Sequence, residues 1–173
     1  MLFRSAEYFR SRGLNEVPPA LRYVSDLELW DGNPPDLLGK YPAMVAEMWL
    51  NGEIVGVHRT YLSSEQGRPG KLQVKSPKKV MGTVGGATIR LYESDGIVGI
   101  AEGIETAEAV HEATGIATWA AYSAGNLPSL QIDEGIDTVE IWADAGKVGE
   151  AKAREFADRL TREGKTVLLL IPP

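Results

Sequence analysis

A chain of 173 residues with 43% hydrophobic side chains is long enough for one domain with a small appendage and can bury a core, which excludes a disordered chain. The absence of cysteine excludes disulfides, zinc–thiolate sites and thiol nucleophiles. No apolar run reaches the roughly 18 residues of a membrane-spanning helix, and a net charge of −6 argues against nucleic-acid binding over the whole surface. The start, "MLFRSAEYFRSRG", lacks the apolar core of a signal peptide, so the expected location is the cytoplasm, with no membrane partner.

In chain order, residues 4–13 read as a short helix with Gly13 as its C-cap. Residues 14–42 are rich in turn formers, and "VPP" and "GNPP" are expected to break any long element. "AMVAEMWL" and "EIVGVHRTYL" flank Asn51-Gly52, a strong short-range signal for a β-hairpin. "SSEQGRPGK" reads as a polar loop, "KLQVKSPKKVMGTVGG" as a short strand with loops, and "ATIRLY" as another strand. This stretch is basic: Arg59, Lys71, Lys75, Lys78, Lys79 and Arg90 have only Glu65 among them.

From about Asp95 the texture changes. "GIVGIAE" reads as a strand covered on both faces. "ETAEAVHEATG" follows as a helix with Ala107, Val110 and Ala113 on one side and Gly115 at its end. "IATWAAY" and "TVEIWAD" are further strands, "EAKAREFADRLTREG" is an amphipathic helix, and "KTVLLLIPP" is a last strand closed by two prolines. The order strand, helix, strand, strand, helix, strand predicts an α/β fold: a mostly parallel four-stranded sheet flanked by helices, with a smaller α+β part before it. The division expected is residues 1–92, basic, and residues 93–173, which hold 15 acidic and 6 basic groups. Such a chain offers phosphates one surface and cations another.

Ligands of open α/β sheets sit beyond the carboxyl ends of the strands. Glu102 and Asp144 stand at two such ends. If those strands are neighbours, the acids face each other and suit a hard cation such as Mg²⁺. Composition leaves Glu102 equally open to being a solvated turn residue or a helix cap, and the lysines to being ordinary surface residues. His58 on a strand reads as structural and His111 as a surface residue, with no neighbour for a transition-metal site. Trp49, Trp119 and Trp142 read as core, Trp30 as a surface anchor, and Ser123 as a turn residue. There is no G-x-x-x-x-G-K-[ST], no dinucleotide-binding fingerprint and no G-x-S-x-G.

"IAEGIETAEAVHEATGIATWAAYSAGNL" followed by "VEIWADAGKVGEAKAREFADRL" resembles the Toprim domain of phage- and plasmid-type, mobile-element DNA primases. "GEIVGVHRTYL" and "KSPKKVMG" are similar to the stretch that precedes it in those proteins. The resemblance implies a Toprim-like sheet over residues 93–173 and Mg²⁺- or Mn²⁺-dependent nucleotidyl transfer, making RNA primers on single-stranded DNA from NTPs. It assigns Glu102 to the invariant glutamate, as acid/base or metal-positioning group, and Asp144 to the first acid of Asp-x-Asp, a metal ligand. Gly146 stands where the second acid is expected, and Gly149 matches the glycine that lets the next helix start close to the strand. Two carboxylates two residues apart on extended chain serve one site, so the glycine weakens a two-ion mechanism; Glu150 is a substitute of unknown direction. Arg59, Lys71, Lys75, Lys78 and Lys79 are the implied contacts to template or nucleotide, with "KSP" resembling the segment of the catalytic-core lysine. A zinc-binding domain and a helicase usually accompany such primases, and neither is expected in this chain, which would be an excised core or a stand-alone relative. The alternatives are a binding module that has lost catalysis with Gly146, acting on a replisome or host partner, and a Toprim nuclease.

Overall fold

The computed structural model describes residues 3–63 and 69–171. Of the polar loop expected around residues 63–71, residues 64–68 lie outside the described residues, as do the two closing prolines. Helix α1 (Phe3–Ser11) leads into a sheet of five strands: β1 (Arg22–Asp31), β2 (Asp36–Leu50), β3 (Glu53–Ser63), β4 (Gly70–Lys71) and β5 (Lys78–Gly82). All its pairs are antiparallel, with β4 and β5 both on the free side of β3.

The turn-rich stretch 14–42 does not stay irregular. Its prolines lie mostly in the connections, and "GNPP" is the turn that joins β1 to β2 beyond the Asp31–Asp36 pair. One proline, Pro42, falls inside β2. It has no N–H to give, and β1 bulges opposite it, where the register shifts between Val24 and Leu27. The Asn51-Gly52 hairpin forms as expected, closed by Leu50 opposite Glu53. Strands β3 and β5 cross at two glycines. A Cβ on Gly56 would lie 2.3 Å from the Met81 carbonyl oxygen, and one on Gly82 would lie 2.2 Å from that of Val55.

The second sheet has the order β10-β9-β7-β8-β6. Strands β7 (Ile97–Ala101), β8 (Thr118–Ala120), β9 (Thr138–Trp142) and β10 (Thr166–Leu170) are the four expected parallel strands. Strand β6 (Ile89–Arg90) adds to them antiparallel, so "ATIRLY" contributes a short edge rather than a full strand. Helices cover both faces, as parallel sheets require. Helix α2 (Ile104–Thr114) packs Ile104 and Ala107 toward the first sheet, and α3 (Lys147–Arg162) packs Ala153, Phe156 and Leu160 on the other face. On α2, Ala113 is exposed, and the carboxyl-bearing Glu108 is buried instead, bonded to the Tyr92 hydroxyl at 2.9 Å. Among the described residues no helix is long and apolar enough to cross a membrane.

One core runs between the sheets. It joins Tyr8 and Phe9 of α1, Met44, Ala46 and Met48 of β2, Ile104 and Ala107 of α2, and Ala101 and Ala120 of the second sheet. Trp49 and Thr88 exchange both backbone hydrogen bonds, at 2.8 and 2.9 Å, and so stitch the sheets edge to edge. Arg90 reinforces the joint. Its guanidinium lies 4.5 Å from the Trp119 ring centre and 5.6 Å from that of Trp49, and it pairs with Asp133 at 2.8 Å.

Asn126 completes the joint. It is 4% exposed. Its Oδ1 accepts from the Gly86 amide at 2.8 Å, and its Nδ2 donates to the carbonyls of Ala87 and Ala121 at 2.9 and 3.1 Å. Replacing it strands three buried backbone groups, each costing on the order of 1–3 kcal/mol. We expect Asn126→Ala to lower the melting temperature by roughly 5–10 °C, measured by circular dichroism; a change within a degree would remove Asn126 from this role.

Candidate active site at the ends of the parallel strands

Strands β7 and β9 are hydrogen-bonded neighbours, with Ala101 opposite Trp142. Glu102 leaves the end of β7 and Asp144 follows β9 two residues later, so both acids emerge at the same end of adjacent strands, Asp144 one residue further along than the register partner of Glu102. Both are half-buried. Asp144 lines an open cleft of about 400 Å³ with Thr106, Trp142, Ala143, Ala145, Leu170 and Ile171. A second cleft, of about 500 Å³, lies at the joint beside Trp49 and Arg90 and contains neither acid.

Two glycines shape the chain after Asp144. A Cβ on Gly149 would sit 2.8 Å from the Asp144 carbonyl oxygen, so only glycine lets α3 begin this close to the strand. Gly146, the N-cap residue of α3, has φ +117 and ψ 153, a region that side-chain-bearing residues rarely enter, although nothing lies within 4 Å of where its Cβ would be. Glu150 follows in the first turn of α3 and is half-buried, its amide bonded to the Gly146 carbonyl at 3.0 Å.

The pleat divides the basic segment. Leu62 pairs with Lys71 and Thr60 with Lys78, and these residues share the inward face of the first sheet with buried His58. Arg59 pairs with Lys79 on the opposite face, where Lys79 holds Asp31 at 2.6 Å. Lys75 is exposed in the loop before β5, and Arg90 is occupied in the joint. Among the described residues of this segment, Lys71 and Lys78 are therefore the two that approach the acid-bearing end. Lys71 binds Glu105 of α2 at 2.6 Å, and Glu105 also accepts the Tyr8 hydroxyl. Burial raises the Glu105 carboxyl, but the hydrogen bonds from Lys71 and Tyr8 and the charges of Lys71 and Lys78 outweigh it and bring it down to about 2. Lys78 lies within electrostatic reach of Glu105, Lys71 and Glu102, and burial holds its ammonium below the usual lysine value. Tyr8 is pushed the other way, upward, by burial and by Glu105.

Among the described residues no three His, Asp or Glu side chains converge on one point. Glu102 and Asp144 are hard oxygen donors. Two carboxylates suit one Mg²⁺ that keeps waters and takes phosphate oxygens, and they do not suit a pair of ions.

Residues 4–91 match the family model described as a domain of unknown function, DUF7146. The chain belongs to this family. Residues 97–173 match the model of the Toprim domain, so the C-terminal sheet is a Toprim domain, as its motifs imply. Comparison with curated protein sequences finds no match. Among solved structures, a DNA primase domain from Pseudomonas aeruginosa aligns with TM-score 0.61 and 15% identity over 98% of this chain and 64% of that one. The Aquifex aeolicus primase, comprising zinc-binding and RNA polymerase domains, gives 0.63 and 15% over 98% and 49%. The primase fragment of the bacteriophage T7 primase-helicase gives 0.54 and 14% over 77% and 54%. The fold is thus primase-like throughout, and the DUF7146 chain spans about half to two thirds of these structures.

Sequence reasoning places Glu102, Asp144 and Gly149 in the Toprim domain but misses Glu105, Tyr8 and Asn126. The signal for Glu105 was present in the acid of the first helical turn, but its partners come from residues far away in sequence. His111 is not a free surface residue. Its ring stacks on Tyr92 at 3.5 Å, and Nδ1 lies 2.7 Å from the Ile116 carbonyl oxygen. Ser123 is the turn residue expected, its hydroxyl accepting from the Asn126 amide at 3.3 Å. Trp30 is 48% exposed and Trp119 is buried, while Trp49 and Trp142 are half-buried.

His58 is 3% exposed, and its Nδ1 has no hydrogen-bond partner. Burial, helped by the charge of Lys78, brings its imidazole down to about 4 from the ordinary 6.5. The unfolded chain therefore takes up a proton that the folded chain refuses between those values, and stability falls as pH drops through that window, by up to about 3 kcal/mol. We expect His58→Gln to lose less stability than the natural chain between pH 7 and pH 5, read from urea midpoints; equal losses would show that His58 does not control the window. The Gly146 backbone makes a separate prediction. Gly146→Asp should destabilise by about 1–3 kcal/mol, while Ala145→Asp, at an exposed neighbour, leaves the melting temperature unchanged.

Proposed function

We propose that this chain is a primase-type Toprim module that makes RNA primers on single-stranded DNA by nucleotidyl transfer during replication of a mobile element. The observation that carries the reading is the emergence of Glu102 and Asp144 at one end of the parallel sheet, with the inward Lys78 within electrostatic reach of Glu102 and the inward Lys71 on Glu105, three residues on. The likeness to primase domains over 98% of the chain supports it.

Phosphoryl transfer asks a protein mainly to position reactants and to stabilise charge. Lys78, and Lys71 with it, bind the triphosphate. Glu102 and Asp144 are the residues that would hold Mg²⁺ or Mn²⁺, which when bound neutralises phosphate charge. Arg59, Lys75 and Lys79 lie away from the acids, and we assign them to the template backbone rather than to the nucleotide. In this reading residues 1–92 form the basic part and residues 93–173 the Toprim domain. A zinc-binding domain or a helicase would act as a separate partner.

A second reading has its own observation. Gly146 supplies no carboxylate where the Toprim pattern has its second acid, and the described residues offer no third ligand. The domain would then bind nucleic acid or a protein partner without catalysis.

One assay separates these readings: primer synthesis with single-stranded DNA, NTPs and Mg²⁺ or Mn²⁺. We expect synthesis by the natural chain and a loss of about 10²–10⁴-fold in Glu102→Gln. DNA binding without synthesis under either ion would establish the binding module. Plasmid cleavage without NTPs would establish a nuclease.

A further inference from the structure

Glu105 is bound more heavily than a turn residue needs to be. Its carboxylate takes the Lys71 ammonium at 2.6 Å and the Tyr8 hydroxyl at once, joining α1, β4 and α2. The paired side chains of Lys71 and Glu105 remain 22% and 20% exposed, so solutes still reach the pair. Arg12 stands behind Tyr8, 5.7 Å from its ring centre and within electrostatic reach of Glu105. Glu105 lies in the first turn of α2, three residues after Glu102. The carboxylate that neutralises Lys71 and the acid of the candidate site thus share one turn. Lys78, beside them, has no direct ion pair among the described residues.

Resting on the nucleotidyl-transfer reading, we propose that Glu105 is an internal stand-in for a phosphate group: it occupies Lys71 until an incoming phosphate displaces it, whereupon Tyr8 and Arg12 retain the released carboxylate. Lys71 is then a conditional phosphate ligand and Lys78 a constant one. Glu105 sets the strength with which the site holds polyphosphate and is a positioning residue. No bond is made or broken. One ammonium exchanges a carboxylate oxygen for a phosphate oxygen, and charge is conserved. A structural ion pair alone would predict the opposite response to neutralising Glu105, namely lost stability and no gain in phosphate binding.

The test uses the full chain in Mg²⁺-free buffer. Calorimetric titration with inorganic tripolyphosphate should show Glu105→Gln binding about fivefold tighter than the natural chain, the equivalent of freeing one partly exposed ion pair. The gain should vanish in Glu105→Gln/Lys71→Ala. Oligodeoxythymidylate distinguishes the source of the phosphate. If the template supplies it, the slope of log affinity against log salt steepens by roughly 0.7 in Glu105→Gln; an unchanged slope with tighter tripolyphosphate binding assigns it to the nucleotide. Equal or weaker tripolyphosphate and oligonucleotide binding by Glu105→Gln would overturn the inference. Should that variant fail to fold, the natural chain still decides. Its Glu105 carboxyl ¹³C resonance must move when either polyanion is added, and a fixed resonance would overturn the inference. Primer synthesis by the natural chain with no such effects would sink only this inference. Failed synthesis with Glu105-dependent phosphate binding would sink only the nucleotidyl-transfer reading.

Discussion

The edge-to-edge bridge between Trp49 and Thr88 is the constraint on which the rest depends. It fixes the end of β2 against the short strand β6 and so hangs the antiparallel sheet from the parallel one. The common core of Met44, Met48, Ile104 and Ala107 then draws the inward face of the first sheet against α2. Only in that arrangement can side chains of β4 and β5 reach the turn that begins α2. Asn126 holds the same joint from the other side, its amide bonding three backbone groups that would otherwise be buried unpaired.

Charge tells a similar story. The chain separates a basic middle from an acidic end, and folding brings them together again. Arg90 is paired with Asp133 and Lys71 with Glu105 of the acidic end, while Lys79 is paired with Asp31 within the first part of the chain. Much of what the sequence presents as a phosphate-seeking surface is thus balanced inside the protein. Among the described residues of this segment Arg59, Lys75 and Lys78 have no ion pair, and of these Lys78 lies in a half-buried setting near the acids, where a single charge counts for more than several in water.

The four parallel strands, both C-terminal helices and the Asn-Gly hairpin are legible in the sequence because each depends on local periodicity or on a turn that few residues can make. Glu102 and Asp144 are legible because strand ends in such sheets are where ligands go. The long strands β1 and β2 are not. Their prolines look like breakers, and only the bulge opposite Pro42 shows how one of them is accommodated. The basic segment reads as one constellation because a linear count cannot show the pleat that sends Lys78 and Lys79 to opposite faces. Asn126 and Glu105 escape notice because their partners, Gly86 and Ala87 for one and Lys71 and Tyr8 for the other, become neighbours only through tertiary contact. Arg90 looks like a phosphate ligand until the two tryptophans beside it are seen.

The crossing of Gly56 and Gly82 bears on more than close packing. Backbone meets backbone there at distances no side chain tolerates, so β5 has one place to sit along β3. Side chains alternate along a strand, and a slip of one residue would therefore turn Lys79 inward and Lys78 outward. The two glycines act as a parity lock: they decide which of two adjacent, chemically identical lysines faces the acids. The identity of the inward cation is thus written in residues that carry no charge.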